Sequence, residues 1–259
     1  MDPSIASAVF FPRPDLPFSP PSKTGVDAMI DVGGAHVRLR THLGPKDAPT
    51  LLFFHGNGET ARDYDDVVSR FLTLPVTFAA ADYRGYGPST GEPSVGTFLS
   101  DAHRTLDFFL RLCAQEGRSG PVLVMGRSLG SAPAIELSSE RTEVDGLVIE
   151  SGFARFVPLL ELLGVPARGM GLRESDGPGN LEKMARVTVP TLILHARGDQ
   201  IIPHKDGVAL HEQCAATQKR LVTIENAGHN DIMSVAGQLY FDALAQLLEL
   251  LRPTPPNTP

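Results

Sequence analysis

Six short apolar runs punctuate this chain: TLLFF (50–54), VTFAAA (76–81), PVLVM (121–125), GLVIE (146–150), TLILH (191–195) and RLVTIE (220–225). Their apolar residues are continuous rather than alternating, which is how a strand reads when both of its faces are covered, as in a parallel sheet. Amphipathic stretches at about 60–72, 96–116, 129–140, 204–215 and 231–251 separate them. Strand and helix in alternation predict an α/β fold, a doubly wound and mostly parallel sheet. AMIDV and HVRLRTHL on either side of Gly33-Gly34 add an antiparallel hairpin at its start, for eight strands in all. Such a sheet places ligands beyond the carboxyl ends of its strands.

Residues 25–251 are expected to form this one domain. The interval 152–187 is too long for a plain connection and turns from apolar (FARFVPLLELLGVP) to glycine-rich (ARGMGLRESDGPGN). Connections beyond about 12–15 residues commonly carry function, and a small lid over the strand ends is expected here. The proline-rich ends are read as an extended N-terminal arm (1–24) and a disordered tail (252–259).

Composition excludes several classes. A net charge of −7 without a Lys/Arg cluster argues against a nucleic-acid partner. No stretch approaches the roughly 18 apolar residues of a membrane span, so stable membrane association is not expected. Cys113 and Cys214 are too few for a disulfide framework and read as two buried thiols of a cytoplasmic protein. Composition says nothing about oligomeric state.

The residues just after the runs carry the chemistry. PVLVM leads into Gly126-Arg127-Ser128-Leu129-Gly130, a strand-to-helix turn that could lift the Ser128 hydroxyl above the sheet. The same serine could equally be a helix N-cap. TLLFF leads into His55-Gly56-Asn57-Gly58-Glu59, a glycine-rich turn whose N–H groups can face an oxyanion. Asn57 and Leu129 are the expected donors, with Gly58 the alternative to Asn57. His55 reads as a structural hydrogen-bonder. Asp199 follows TLILH in a shaped turn, and His229 follows RLVTIE in a glycine-containing loop with Asp231 as the next helix's N-cap. Glu150 is a rival to Asp199 for orienting the imidazole, otherwise expected to bond backbone near the root of the lid. Asp82 reads as structural.

These segments together resemble the α/β-hydrolase family over roughly residues 25–250. The likeness is carried by FFHGNGE, DYRGYGPSTGEPS, GRSLGS, NLEKM, VTVPTLILHARGDQIIP and AGHNDI. The order Ser128, Asp199, His229 is the family's order for nucleophile, acid and base. With the arm segment VFFPRPDLP, the chain looks like the lid-poor branch containing bacterial esterases and eukaryotic acyl-protein thioesterases. The membrane-anchored members carry an N-terminal cysteine cluster, whereas no Cys precedes residue 113 here. Ala196 stands where the branch often has glycine.

The expected activity is serine hydrolysis of carboxylic esters or thioesters of small or medium acyl groups through an acyl-enzyme, with neither metal nor organic cofactor. Gly58, Phe153, Phe156 and Leu160, with Leu159 and Leu163, are the expected substrate contacts. Two rival readings stay open. An aminopeptidase or amidase would use Glu59 or Glu150 to bind an amine, and a non-catalytic small-molecule binder would merely reuse the fold.

Overall fold

The computed structural model describes residues 9–15 and 25–251. The expected tail, 252–259, and the rest of the arm lie outside the described residues.

Eight strands form a single sheet: β1 (Gly25–Asp31), β2 (His36–His42), β3 (Thr50–Phe54), β4 (Thr77–Ala81), β5 (Val122–Arg127), β6 (Gly146–Glu150), β7 (Thr191–Ala196) and β8 (Lys219–Ile224). Their order is β1-β2-β4-β3-β5-β6-β7-β8. β1 pairs antiparallel with β2, and β2 antiparallel with β4, while every later pairing is parallel. This is the doubly wound, mostly parallel sheet with an antiparallel hairpin that the runs predict.

Side chains on these strands point alternately to opposite faces, and both faces are apolar. Leu52, Phe54, Val124, Leu147, Ile149 and Ile193 belong to one core. Leu51, Phe53, Leu123, Met125, Val148 and Leu192 belong to the other. Two cores on one sheet explain why the runs are continuous.

The helix Val95–Gln115 covers the first face with Val95, Phe98, Ala102, Leu106, Phe109 and Cys113, spaced three or four apart as a single helical stripe requires. Its start is set by Ser94, whose hydroxyl accepts the Thr97 N–H at 3.1 Å. The C-terminal helix covers the second face, with Tyr240, Phe241, Leu244 and Leu248 buried.

Two predicted helices come out differently. The stretch 60–72 is a short turn (Ala61–Tyr64) and a one-turn helix (Val68–Phe71). Asp63 turns back to accept the Thr60 N–H and also takes Arg13, and Asp65 reaches sideways to Arg40 and His42, so both acids serve tertiary contacts. The last helix breaks at Gly237 (φ 54°, ψ −121°) into Ile232–Ala236 and Gln238–Leu250. Glycine alone adopts that backbone without strain.

The chain leaves β3 for β4 on one side of it and returns to β5 on the other. The crevice beyond the carboxyl ends of β3 and β5 is therefore the topological switch point, where open α/β sheets hold ligands. The interval 152–187 arches from β6 to β7 with short helices at Phe156–Leu162 and Asn180–Met184. It is pinned at several points. Glu174 accepts the N–H groups of Phe156 (2.8 Å) and Val157 (3.1 Å), Asn180 donates to the Phe153 carbonyl, and the Ala154 N–H donates to Asp206. Among the described residues no helix is long and apolar enough to cross a membrane. Cys113 and Cys214 are buried and unpaired.

Candidate active site

At the end of β5 the backbone turns sharply. Ser128 has φ 52°, in the left-handed region that a serine enters only under constraint. It opens a tight turn, Ser128–Gly130, that runs straight into the helix Ser131–Glu140. It therefore does not occupy an N-cap position. The two glycines are dictated by backbone crowding. A Cβ on Gly126 would lie 2.1 Å from the Gly130 carbonyl oxygen, and one on Gly130 would lie 2.1 Å from that of Phe54. With any side chain at either position, helix and strands would have to separate and the serine would move.

Three distant residues meet above this turn. His229 Nε2 lies 3.0 Å from Ser128 Oγ, and His229 Nδ1 lies 2.7 Å from Asp199 Oδ2. The other Asp199 oxygen accepts the N–H groups of Ile201 (3.0 Å) and Ile202 (2.8 Å). Burial alone would push the Asp199 pKa up. The hydrogen bond and charge of His229 and the two amides outweigh it, so the carboxyl sits below its ordinary value. With Asp199 ionised, the imidazole donates from Nδ1 and presents Nε2 as acceptor to the hydroxyl.

The loops bearing these residues support one another. The Gly198 N–H donates to the Ala227 carbonyl, and the Gly228 N–H donates to Asp231. Asp231 is thus at the N-cap position as expected, but its side chain bonds back into the histidine loop rather than capping the helix. Behind Asp199 lies buried His195, its Nε2 donating to the Ile202 carbonyl at 2.9 Å and 3.6 Å from Asp199 Oδ2. Burial holds the His195 pKa below its ordinary value, so the ring braces the acid loop as a neutral donor.

Arg127, next to Ser128, joins three walls of the site. Its guanidinium pairs with Glu59 on the loop after β3 and with Glu150 at the end of β6 (2.9 Å). It also donates to the His229 carbonyl and the Asn230 side chain, both at 3.0 Å. Glu59 in turn accepts from the Gly56 N–H and the Tyr64 hydroxyl, and Glu150 accepts from the Tyr240 hydroxyl. The expectation that Glu150 bonds backbone at the lid root is thereby corrected. It meets an arginine and a tyrosine instead, because Arg127 and Glu150 are register partners on adjacent strands.

Arg127→Ala would leave the Glu150 carboxylate buried without its cation, since Glu150 is only 1% exposed. Breaking such a pair typically costs about 3–5 kcal/mol. At roughly 2–4 °C per kcal/mol for a chain of this size, the melting temperature should fall by about 6–20 °C in a thermal scan. The double variant Arg127→Ala/Glu150→Gln should recover part of that loss.

Ser128 and His229 open onto a cavity of about 280 Å³. Phe153, Phe156 and Leu160 line it, with Leu159 and Leu163, and so do Asn57 and Leu129. Leu129 sits at the second position of its helical turn, where a backbone N–H has no intrahelical acceptor. Gly58 does not lie on the cavity wall; it has φ 71°, and its carbonyl accepts from Arg13. His55 and Asp82 pair with each other at 3.2 Å below the site, and Asp82 also holds the Ala61 N–H. Sequence reading missed Val9, Phe11, Ile201 and Ile202 on the cavity wall and Arg127 as its hub. The apolar character of VFF and IIP was the only available signal for the first four.

Comparison with known proteins bears on this arrangement. The family model described as serine aminopeptidase, S33, matches residues 45–167 and 180–233. Alpha/beta hydrolase domain-containing protein 17B of Homo sapiens is 28% identical over 247 residues, spanning 91% of this chain and 80% of that protein. Alpha/beta hydrolase domain-containing protein aho-3 of Caenorhabditis elegans is 31% identical over 224 residues, 83% of this chain and 63% of that protein. The esterase Pf2001 of Pyrococcus furiosus shares the fold with a TM-score of 0.75 at 17% identity, over 93% of this chain and 98% of its own.

Proposed function

Since the chain belongs to the serine aminopeptidase S33 family of α/β hydrolases, we propose that it hydrolyses carboxylic ester or thioester bonds of small or medium acyl substrates, with Ser128 as nucleophile. The observation that carries this reading is the continuous chain of hydrogen bonds from Ser128 through His229 to Asp199 at the edge of an apolar cavity.

In this mechanism His229 Nε2 takes the hydroxyl proton as Ser128 Oγ attacks the acyl carbon. Asp199 holds the ring and stabilises its cation. The oxyanion is met by the backbone N–H groups of Asn57 and Leu129, which act most strongly where charge develops. His229 then returns the proton to the departing alcohol or thiol, and water repeats the sequence to free Ser128. The interval 152–187 serves as a small lid, supplying the apolar wall for the acyl chain, and the substrate is a small molecule. Two buried, unpaired thiols fit a cytoplasmic setting.

The family's description names an aminopeptidase, but the charges at this site favour an uncharged acyl group. Glu59 and Glu150 are both committed to Arg127, so neither offers a free carboxylate to a substrate ammonium. The intact relay also argues against a mere binding role. A p-nitrophenyl ester series from acetate to octanoate, set beside aminoacyl p-nitroanilides, tests the choice. Esters should exceed anilides in kcat/KM by at least about 100-fold, and a preference for anilides bearing a free amine would reverse the assignment.

The pH profile carries a further expectation. The depressed Asp199 pKa means that its charge stabilises the folded site above the ordinary value near 3.8 and is lost only as pH falls through a still lower value. The acid limb of kcat/KM should therefore carry no contribution from the Asp199 carboxyl near its ordinary value. A carboxyl ionisation entering the profile between about pH 4 and 5 would contradict it.

A further inference from the structure

Residues 9–15, upstream of the sheet, lie against the oxyanion loop. The Asn57 side chain is held from both ends by this segment: its Nδ2 donates to the Val9 carbonyl at 2.7 Å, and its Oδ1 accepts the Phe11 N–H at 2.9 Å. The Tyr86 hydroxyl donates to the same oxygen at 2.6 Å. A backbone acceptor at one end and a backbone donor at the other leave only one orientation for the amide.

The segment is anchored beyond this clamp. The Arg13 guanidinium bonds the Gly58 carbonyl and the Asp63 carboxylate, and the Arg13 carbonyl accepts the Gly87 N–H at 2.8 Å. Asp15 forms a two-pronged pair with buried Arg38, at 2.6 and 2.8 Å. Side chains alternate along it. Phe10 turns inward onto Phe98 with ring centres 5.4 Å apart, while Val9 and Phe11 face the cavity. Phe11 is 55% exposed, too high for a core residue but suited to the rim of a cavity that a ligand would complete.

We infer that the segment Val9–Arg13 is a working part of the substrate site: Val9 and Phe11 form an acyl-chain wall of the cavity that Phe153 and Phe156 also line, and the clamp on the Asn57 side chain positions the oxyanion donor. This rests on the esterase reading above. The ligand class is an apolar acyl group, because the wall adds apolar surface and no charge. Val9 and Phe11 are specificity residues, and the Asn57 side chain is a positioning group that acts through its own backbone N–H.

Two measurements test this, one of which is independent of turnover. In kinetics on p-nitrophenyl acetate, butyrate and octanoate, Val9→Ala/Phe11→Ala should lower the octanoate-to-acetate ratio of kcat/KM about tenfold, the scale expected for lost methylene contacts. Asn57→Ala should lower kcat about 10–100-fold for all three esters alike with little change in KM, since small displacements of a catalytic donor cost about 10². A purely structural role would lower the melting temperature without either signature. Independently, octanoate binding to the Ser128→Ala protein, followed by calorimetry, should weaken about tenfold in the Val9→Ala/Phe11→Ala background. Unchanged ester ratios together with unchanged octanoate affinity, or no octanoate binding at all, would overturn the inference. Octanoate affinity that depends on the arm in a protein hydrolysing no ester would uphold it and remove the esterase reading instead.

Discussion

Replacing Ser128 by alanine is expected to lower kcat on a p-nitrophenyl ester by about 10⁵–10⁶ while KM and melting temperature stay near those of the wild type. The size follows from what is lost. Without the hydroxyl there is no covalent route, and the proton that His229 would take from Ser128 is gone. What survives is the contribution of the oxyanion donors and of binding, typically about 10³–10⁴ over the reaction in water. Stability should barely move, because alanine at this position meets the same φ of 52° and the same flanking glycines as serine does. A fall in activity of only tenfold would mean that some other group attacks the acyl carbon.

The second large effect is expected at the acid. Asp199→Asn keeps the shape of the residue but replaces an acceptor of the His229 Nδ1 proton with an amide that can present its own N–H. The imidazole then holds its proton on Nε2, facing Ser128, where it cannot act as base. A change of this kind costs about 10⁴ in kcat. The Ile201 and Ile202 amides leave the side chain little freedom to turn its remaining oxygen toward the ring, since one oxygen is already occupied by both of them. Glu150→Gln, the same change at the rival acid, should lower kcat by no more than about tenfold. The Glu150 carboxylate is taken by Arg127 and Tyr240, and its loss acts on the frame of the site. Rate measurements on the two variants with one ester separate the roles. A larger loss in Glu150→Gln than in Asp199→Asn would exchange them.

How much of this was legible in the sequence depends on the range of the forces involved. The strands were readable because both faces of the sheet are apolar, so that TLLFF or GLVIE carries its burial in its own composition. The three side chains of the proposed relay were readable because each follows such a run. The turn at Ser128 was readable because its glycines answer to local crowding. Arg127 was not, since its importance lies in Glu59, Glu150 and the His229 carbonyl arriving from three other elements. Val9 and Phe11 were hidden for the same reason, as a short apolar segment among prolines carries no mark of the loop it will lie against. The break at Gly237 was hidden because the apolar period continues on both sides of it. Gly58 was weighed as an oxyanion donor from its place in a glycine-rich turn, but the wall of the cavity passes through Asn57 and Glu59 instead.

The central claim is that one hydroxyl, raised on a strained turn and activated by an imidazole, performs the chemistry. It is tested most directly by treating the purified protein with a fluorophosphonate and locating the adduct by intact mass and peptide mapping. One phosphonyl group on Ser128, with none on the Ser128→Ala variant, is the predicted result. An adduct on a different residue, or equal labelling of the variant, would contradict the account.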